Sequence, residues 1–168
     1  MTMKPVLFVA NVGDDELDAE TPQVAAVREH AAQTGSEVVV LCGDIEGELS
    51  EMEPEERAAF MEDLGLEQSG LTRLIHTAYH LLGMQTFYTA GPKEIRAWNI
   101  LKGDTGPVAA GVIHSDFEKG YIRAEVYSVT DLEQHGTEAA IKAAGKLRVE
   151  GREYVMRDGD VAHFLVGE

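Results

Sequence analysis

Two short polar stretches hold the residues best placed to meet a ligand. Asn11-Val12-Gly13-Asp14 follows the apolar run Val6-Leu7-Phe8-Val9-Ala10, and Cys42-Gly43-Asp44 follows Val38-Val39-Val40-Leu41. Taken alone, Asn-x-x-Asp reads as an Asn/Asp turn. With a buried run before it and a second glycine loop after the next buried run, it also reads as half of a contact site. A third cluster, His114, Asp116, Lys119 and Arg123, falls in a turn and at the start of an alternating run. It either braces that turn or forms a small contact surface. The other chemistry-bearing groups lack partners. His76 and His80 lie at i and i+4 on one helical stretch but have no third ligand beside them. The carboxylates of Glu46–Glu56 have no His or Asn at ligand spacing and read as a solvated face. Cys42, the only cysteine, has no evident His and reads as a small buried residue. No Ser/His/Asp set is legible, so no catalytic residue and no metal site are expected.

The elements around these residues follow from period and punctuation. Both V-L-F-V-A and V-V-V-L read as strands buried on two faces of a parallel sheet. Thr21-Pro22 gives an N-cap and first-turn proline for a helix to about Gln33, with Val24, Val27 and Ala31 inward and Gly35 ending it. Strand, helix and strand in so few residues make a right-handed βαβ unit. Glu46–Glu56 reads as an acid-rich loop leading into a helix that ends near Leu64-Gly65. Leu71–Leu82 is a last helix, with Leu71, Leu74, Ile75, Ala78 and Leu82 at helical spacing.

In the second half Glu94–Ile100 alternates with an apolar side at Ile95, Ala97 and Ile100. Thr105-Gly106-Pro107 caps a short helix, Val108–Ile113. After Gly120, Tyr121, Arg123 and Glu125 lie on one face of a strand and Ile122, Ala124 and Val126 on the other. Thr130-Asp131 starts a local helix, and Gly136-Thr137-Glu138 caps another over Ala139–Ala144. Tyr154–Phe164 reads as two short strands joined through Asp158-Gly159, and Trp98 and Phe117 read as core rather than stacking platforms. Strand, strand, helix, strand and a closing hairpin around one small core describe a ubiquitin-like β-grasp.

The 168 residues allow one ordinary domain or two small ones, and 44% hydrophobic with 26% charged residues is a globular composition. No apolar run reaches the roughly 20 residues that span a bilayer, and Met1-Thr2-Met3-Lys4 leads straight into a strand rather than a signal peptide, so no membrane contact is expected. A lone cysteine fits a reducing cytoplasm. The net charge of −16 is uneven: residues 1–83 hold four Lys and Arg against 17 acids, and residues 84–168 hold ten against 13. Any nucleic-acid contact therefore belongs to the second half and is local and salt-sensitive.

The run from Gln85 to Glu94, then Arg96-Ala97-Trp98, His114–Gly120 and Lys146-Leu147-Arg148 with Gly151, Tyr154 and Asp158-Gly159-Asp160-Val161 resembles the TGS domain that closes the YchF/EngD P-loop NTPases. Lys4–Val12 is similar to the segment with which that family re-enters its NTPase domain after a helical insertion. The resemblance implies an α/β chain in two parts: the last βα units of a P-loop NTPase domain over 1–84, and a β-grasp TGS domain over 85–168. It implies a base-binding site at Asn11, Val12, Gly13, Asp14, Cys42 and Gly43. Asn11 would brace the loop and Asp14 would accept hydrogen bonds from the base edge. The family typically has Glu where Asp14 stands, which leaves the choice between ATP and GTP open. It implies a cytoplasmic parent hydrolase that uses GTP or ATP with magnesium near the ribosome. RNA or protein contacts would run through His114, Asp116, Lys119 and Arg123. This chain has no G-x-x-x-x-G-K-[ST] and no D-x-x-G after a strand, so it is expected to bind nucleotide weakly, to hold no cofactor and not to hydrolyse nucleotide alone. The alternative is a free-standing TGS module that binds RNA or protein without nucleotide. The outer edge of Val6–Ala10 has no partner strand in the sequence, and self-association through that edge is expected.

Overall fold

The computed structural model describes residues 4–17, 19–91 and 94–167. The Met1-Thr2-Met3 lead-in and Pro92-Lys93 of the TGS-like run lie outside them. The chain divides into two compact units, Met1–Leu82 and Gly83–Glu168.

In the first unit β1 (Leu7–Asn11) and β2 (Glu37–Leu41) pair in parallel, Leu7 against Glu37 through Asn11 against Leu41. Helix α1 (Pro22–Thr34) connects them. Thr21 Oγ1 accepts from the Val24 N–H, and Gly35 closes the helix at φ 65°, a left-handed turn that glycine adopts without strain. Val24 and Ala31 turn inward as the period requires, and Val27 is half-buried. The first part of the expected acid-rich loop is instead helical, α2 (Gly43–Glu51), and α3 (Pro54–Asp63) is the helix expected to end near Leu64-Gly65. The sequence hid α2 because its interior Gly47 and its acids mask the inward Ile45 and Leu49. These two pack with Cys42 against Leu17, Met52, Phe60, Met61 and Leu64. Helix α4 (Gly70–Leu81) leaves Leu71, Ile75 and Leu82 exposed, and β1 is likewise not buried on both faces, since Val9 is 47% exposed. Successive Val39 and Val40 are both buried, so β2 is covered on its two faces, whereas β1, with no second neighbour strand among the described residues, is left partly open.

The second unit is built on five strands: β3 (Met84–Ala90), β4 (Ile95–Leu101), β5 (Tyr121–Ser128), β6 (Arg148–Glu150) and β7 (Asp160–Val166). Their order is β4-β3-β7-β5-β6, with β3 and β7 parallel and every other neighbour antiparallel. Helices α5 (Gly106–Ile113) and α6 (Ser115–Gly120) join β4 to β5 and help close the main core of Phe87, Ile100, Ala109, Ala110, Tyr121, Ala124, Val126, Met156 and Ala162. Successive strand residues alternate faces, so Tyr127 and Val161 point the other way. There they pack on Ile141. That second face is closed by α7 (Val129–His135) and α8 (Glu138–Ala143). Helix α7 starts one residue earlier than Thr130, because Ser128 and Asp131 form a reciprocal capping box.

Three sequence expectations are corrected here. The inward face of β4 is Trp98 and Ile100, not Ile95 and Ala97, and Ile95 is 74% exposed. Buried Phe87 and Gln85 on β3 sit opposite Trp98 and Ile100 and fix that register, and a slip of one residue reverses every side chain. In β5 a bulge between Tyr121 and Arg123 lets Tyr121 join Ala124 and Val126 inside while Ile122 turns outward. The closing hairpin is absent: of residues 154–156 only Val155 makes a bridge, to Thr105, and β7 pairs with β5 and β3.

Candidate functional site

The parallel register of β1 and β2 brings their carboxyl ends together, the edge at which open α/β sheets bind ligands. Asn11 is the last residue of β1. The Val12 N–H donates to the Leu41 carbonyl at 3.0 Å, and the Gly43 N–H donates to Asn11 Oδ1 at 2.8 Å. Asn11 thus ties the first loop to the second across 32 positions, with its amide oxygen turned to Gly43. A Cβ at Gly43 would stand 3.3 Å from Asn11 Oδ1, so a larger residue there presses on this bond. Gly13 precedes a 3-10 turn over Asp14–Glu16 and accepts from the Glu16 N–H at 3.1 Å. Asp14 is exposed, and its Oδ1 accepts from the Asp15 N–H at 2.9 Å. The Cys42 thiol is buried with Ile45 and Leu49, so Cys42 faces the site through its backbone alone. Asn11, Val12 and Gly43 are therefore drawn together, and Asp14 stands one turn away in the same loop.

Sequence reasoning missed Glu46. From α2 its carboxylate accepts from the Gly70 N–H at 2.6 Å and the Leu71 N–H at 3.0 Å, capping the amino end of α4 alongside Ser69, whose Oγ accepts from Thr72. Gly70 is required at that approach: a Cβ would come within 2.5 Å of Leu41 Cβ.

In the second unit His114 caps α6, its Nδ1 accepting from the Asp116 N–H at 3.2 Å, and its ring lies 5.8 Å from that of Phe117. The acceptor role assigns Nδ1 as the unprotonated nitrogen. Lys119 is exposed in the last turn of α6 and Arg123 is exposed on β5 beyond the bulge. Neither has a polar partner among the described residues, so His114 and Asp116 brace the turn while the two cations stand apart from them. The most connected polar group was not foreseen. Asp160, 2% exposed, accepts from Arg148 Nη2 at 3.0 Å, from the Tyr154 hydroxyl at 2.7 Å and from the Arg157 N–H at 2.9 Å. Arg148 Nη1 also donates to Tyr154 at 2.9 Å and Glu150 at 3.2 Å. Burial and the bond to Asp160 raise the Tyr154 phenol above its ordinary value. Burial works against the Arg148 charge, but Tyr154, Asp160 and Glu150 outweigh it and hold the guanidinium above its ordinary value. The signal in the sequence was Asp158-Gly159-Asp160, a turn whose second carboxylate lies between cationic and aromatic neighbours.

Among the described residues no group of three or more His, Cys, Asp or Glu side chains is placed to hold a metal ion. His80 Nδ1 lies 3.3 Å from Glu37 Oε1 rather than beside His76. Among the described residues no helix is long and apolar enough to cross a membrane.

A family model described as "YchF-GTPase_C: Protein of unknown function (DUF933)" matches residues 84–167. The chain is 51% identical over 166 residues to the "Ribosome-binding ATPase YchF" of Bacillus subtilis, covering 98% of this chain and 45% of that protein. It is 48% identical over 165 residues to the protein of the same name from Escherichia coli O157:H7, with the same coverage. The solved "Structure of the Schizosaccharomyces pombe YchF GTPase" superposes with a TM-score of 0.84 at 33% identity, over 96% of this chain and 43% of that one. The chain spans a little under half the length of the relatives it matches, in their C-terminal portion. With half its residues under the family's own model, the chain belongs to the YchF family.

Proposed function

We propose that this chain supplies the base-recognition corner and the partner-binding domain of a cytoplasmic, ribosome-associated YchF-type NTPase. The observation that carries the first part is the Asn11 Oδ1 to Gly43 N–H bond, which holds two loops at the carboxyl ends of adjacent parallel strands. The Asn11 amide braces the site, the backbone of Val12, Gly13, Cys42 and Gly43 forms its wall, and the Asp14 carboxylate takes N–H donors from a purine edge. In the intact family these residues would face the base of GTP or ATP bound with magnesium. The base fits this corner, but the phosphates and the metal do not: the chain has neither a glycine-lysine phosphate loop nor a cluster of metal ligands among its described residues. Binding is accordingly weak, because most of a P-loop protein's grip lies in the phosphate cradle.

The second part, over residues 85–168, is read as a TGS β-grasp that meets the ribosome or RNA. Numbered within the unit, its strand order is 2-1-5-3-4 with a helix between the second and third strands, which supports the β-grasp reading. The relatives' names support ribosome association. Lys119 and Arg123, both exposed and without a polar partner among the described residues, would be the cations that meet phosphate.

Calorimetric titration of the chain with ATP, GTP and adenosine tests the first part. Comparable weak affinity for ATP and adenosine, lost in Asn11→Ala, is the expected result, and tight binding that needs the triphosphate would refute it. For the second part, Lys119→Ala and Arg123→Ala should weaken RNA or ribosome binding and flatten its salt dependence.

A further inference from the structure

We propose that the contact between Glu46 and Gly70 positions the second base-contacting loop, so that purine occupancy of that loop and order at the amino end of α4 rise and fall together. The proposal rests on the base-site reading of Asn11, Gly43 and Asp14, but its first test needs no ligand. Cys42 and Gly43 lie between Leu41, the last residue of β2, and the first turn of α2. Gly70 meets the chain on both sides of them. Before the loop, Leu41 packs so closely that a Cβ at Gly70 would stand 2.5 Å from the Leu41 Cβ. After the loop, the Glu46 carboxylate accepts from the Gly70 amide at 2.6 Å and the Leu71 amide at 3.0 Å. The Glu46 N–H in turn donates to the Cys42 carbonyl at 3.0 Å. Glu46 therefore holds the loop with its backbone and α4 with its side chain.

The first turn of α2 has little hold of its own. Cys42 gives it no side-chain cap, and glycines at 43 and 47 weaken the helical preference of its nine residues. Ile45 and Leu49 anchor the inward face, but they pack with Leu17, Met52 and residues in and just after α3, so they supply no tie to α4. The other end of the contact is equally dependent on it. The first amides of a helix have no partner within the helix. In α4 the Ser69 hydroxyl takes that of Thr72, and Glu46 takes those of Gly70 and Leu71. A purine edge that settles against Gly43 favours the loop position that Glu46 holds. By linkage the Glu46 bonds favour the bound purine by the same factor. From α4 the chain passes at Gly83 into the second unit, so the state of the base site reaches the helix that leads there.

The test compares the full chain with Glu46→Ala, Glu46→Gln and Ser69→Ala, by amide-resolved hydrogen exchange and by titration with adenosine. Ser69→Ala removes a cap from the same end of α4 without touching α2, and so reports the effect of lost stability alone. In Glu46→Ala the Gly43 amide, which bonds to Asn11, should exchange about tenfold faster or more. Affinity for adenosine should fall by about fivefold or more in the same variant. Glu46→Gln, which can keep one of the two bonds, should lie between, and Ser69→Ala should stay within about twofold on both measures. Saturating adenosine should slow exchange at Gly70 and Leu71 in the unsubstituted chain and not in Glu46→Ala. Gly43 exchange that is unchanged in Glu46→Ala, or accelerated as much in Ser69→Ala, overturns the proposal. So does adenosine binding that leaves Gly70 and Leu71 as they were. Absence of adenosine binding to the unsubstituted chain refutes the base-site reading and the linkage with it, while Gly43 exchange still decides whether Glu46 positions the loop.

Discussion

The Glu46 carboxylate sits 2.6 Å from the Gly70 amide, joining the helix that begins at the base-contacting loop to the amino end of α4. The carboxylate lies at the positive end of the α4 dipole, and charge-assisted bonds of this kind exceed neutral ones. Glu46→Ala should lower the unfolding free energy by about 1–3 kcal/mol, the usual range for hydrogen bonds to a charged group, with the lower end favoured because the Leu71 amide is exposed. Glu46→Gln, which can keep one of the two bonds, should recover part of that loss. Equilibrium denaturation of both variants checks the ranking, and equal stabilities would show that water replaces the clamp.

A second prediction concerns the buried carboxylate of Asp160. Removing one member of a buried, hydrogen-bonded charge pair typically costs about 3–5 kcal/mol, because the remaining charge is stranded. Asp160→Asn should therefore destabilise the unit of Gly83–Glu168 by an amount near the top of the range for single substitutions. Double substitution of Arg148 and Asp160 should cost less than the two single losses combined, and a double-mutant cycle measures the difference.

The same group sets a pH dependence. The Tyr154 phenol is raised in the folded chain above its ordinary value of 10.0, by burial first and then by its bond to Asp160. Its protonated form is thus favoured by folding. The stability it contributes is complete below about pH 10 and is lost as pH rises through the folded value. Tyr121 and Tyr127 are shifted in the same direction, mainly by burial, and add to the decline. Tyr154→Phe should be less stable at neutral pH yet lose stability more gradually in alkali. Thermal melts between pH 8 and 11 decide this, and parallel slopes for the two proteins would be the contrary outcome.

The edge of β1 yields a fourth prediction. Its outer side has no partner among the described residues, and Val6, Val9, Leu71 and Ile75 are exposed in the same unit. The 17 acids of residues 1–83 oppose association, but salt screens them and leaves apolar burial untouched. Self-association should therefore rise with ionic strength. Sedimentation at low and high salt tests it, and a monomer under both conditions would refute it.

Much of the positioning frame was legible because its signals are local. Thr21-Pro22 and Gly35 bound α1 within one residue of the reading, and V-V-V-L lies within β2. The approach of Asn11 to Gly43 follows from two buried strands in parallel, which the apolar runs already implied. What stayed hidden depends on distant partners. Glu46 looks like one more acid in an acidic stretch, since the amides it serves lie 24 positions away. The inward face of β4 is chosen by Phe87 and Gln85 across the sheet, not by the pattern of β4, where Ile95 and Ala97 look equally suited. Tyr154-Val155-Met156 has strand-like residues, but Tyr154 is drawn to Asp160 and Met156 into the core.

The position of β7 has a consequence for how the molecule is made. This strand is last in order along the chain yet lies between β3 and β5, so neither half of the sheet touches the other until it is in place. On a translating ribosome, residues 84–159 would emerge with their core unsealed and wait for about seven more residues before the sheet could close. A stop codon just ahead of Asp160 would accordingly leave not a slightly shortened domain but an unfolded one, handed to chaperones and proteases.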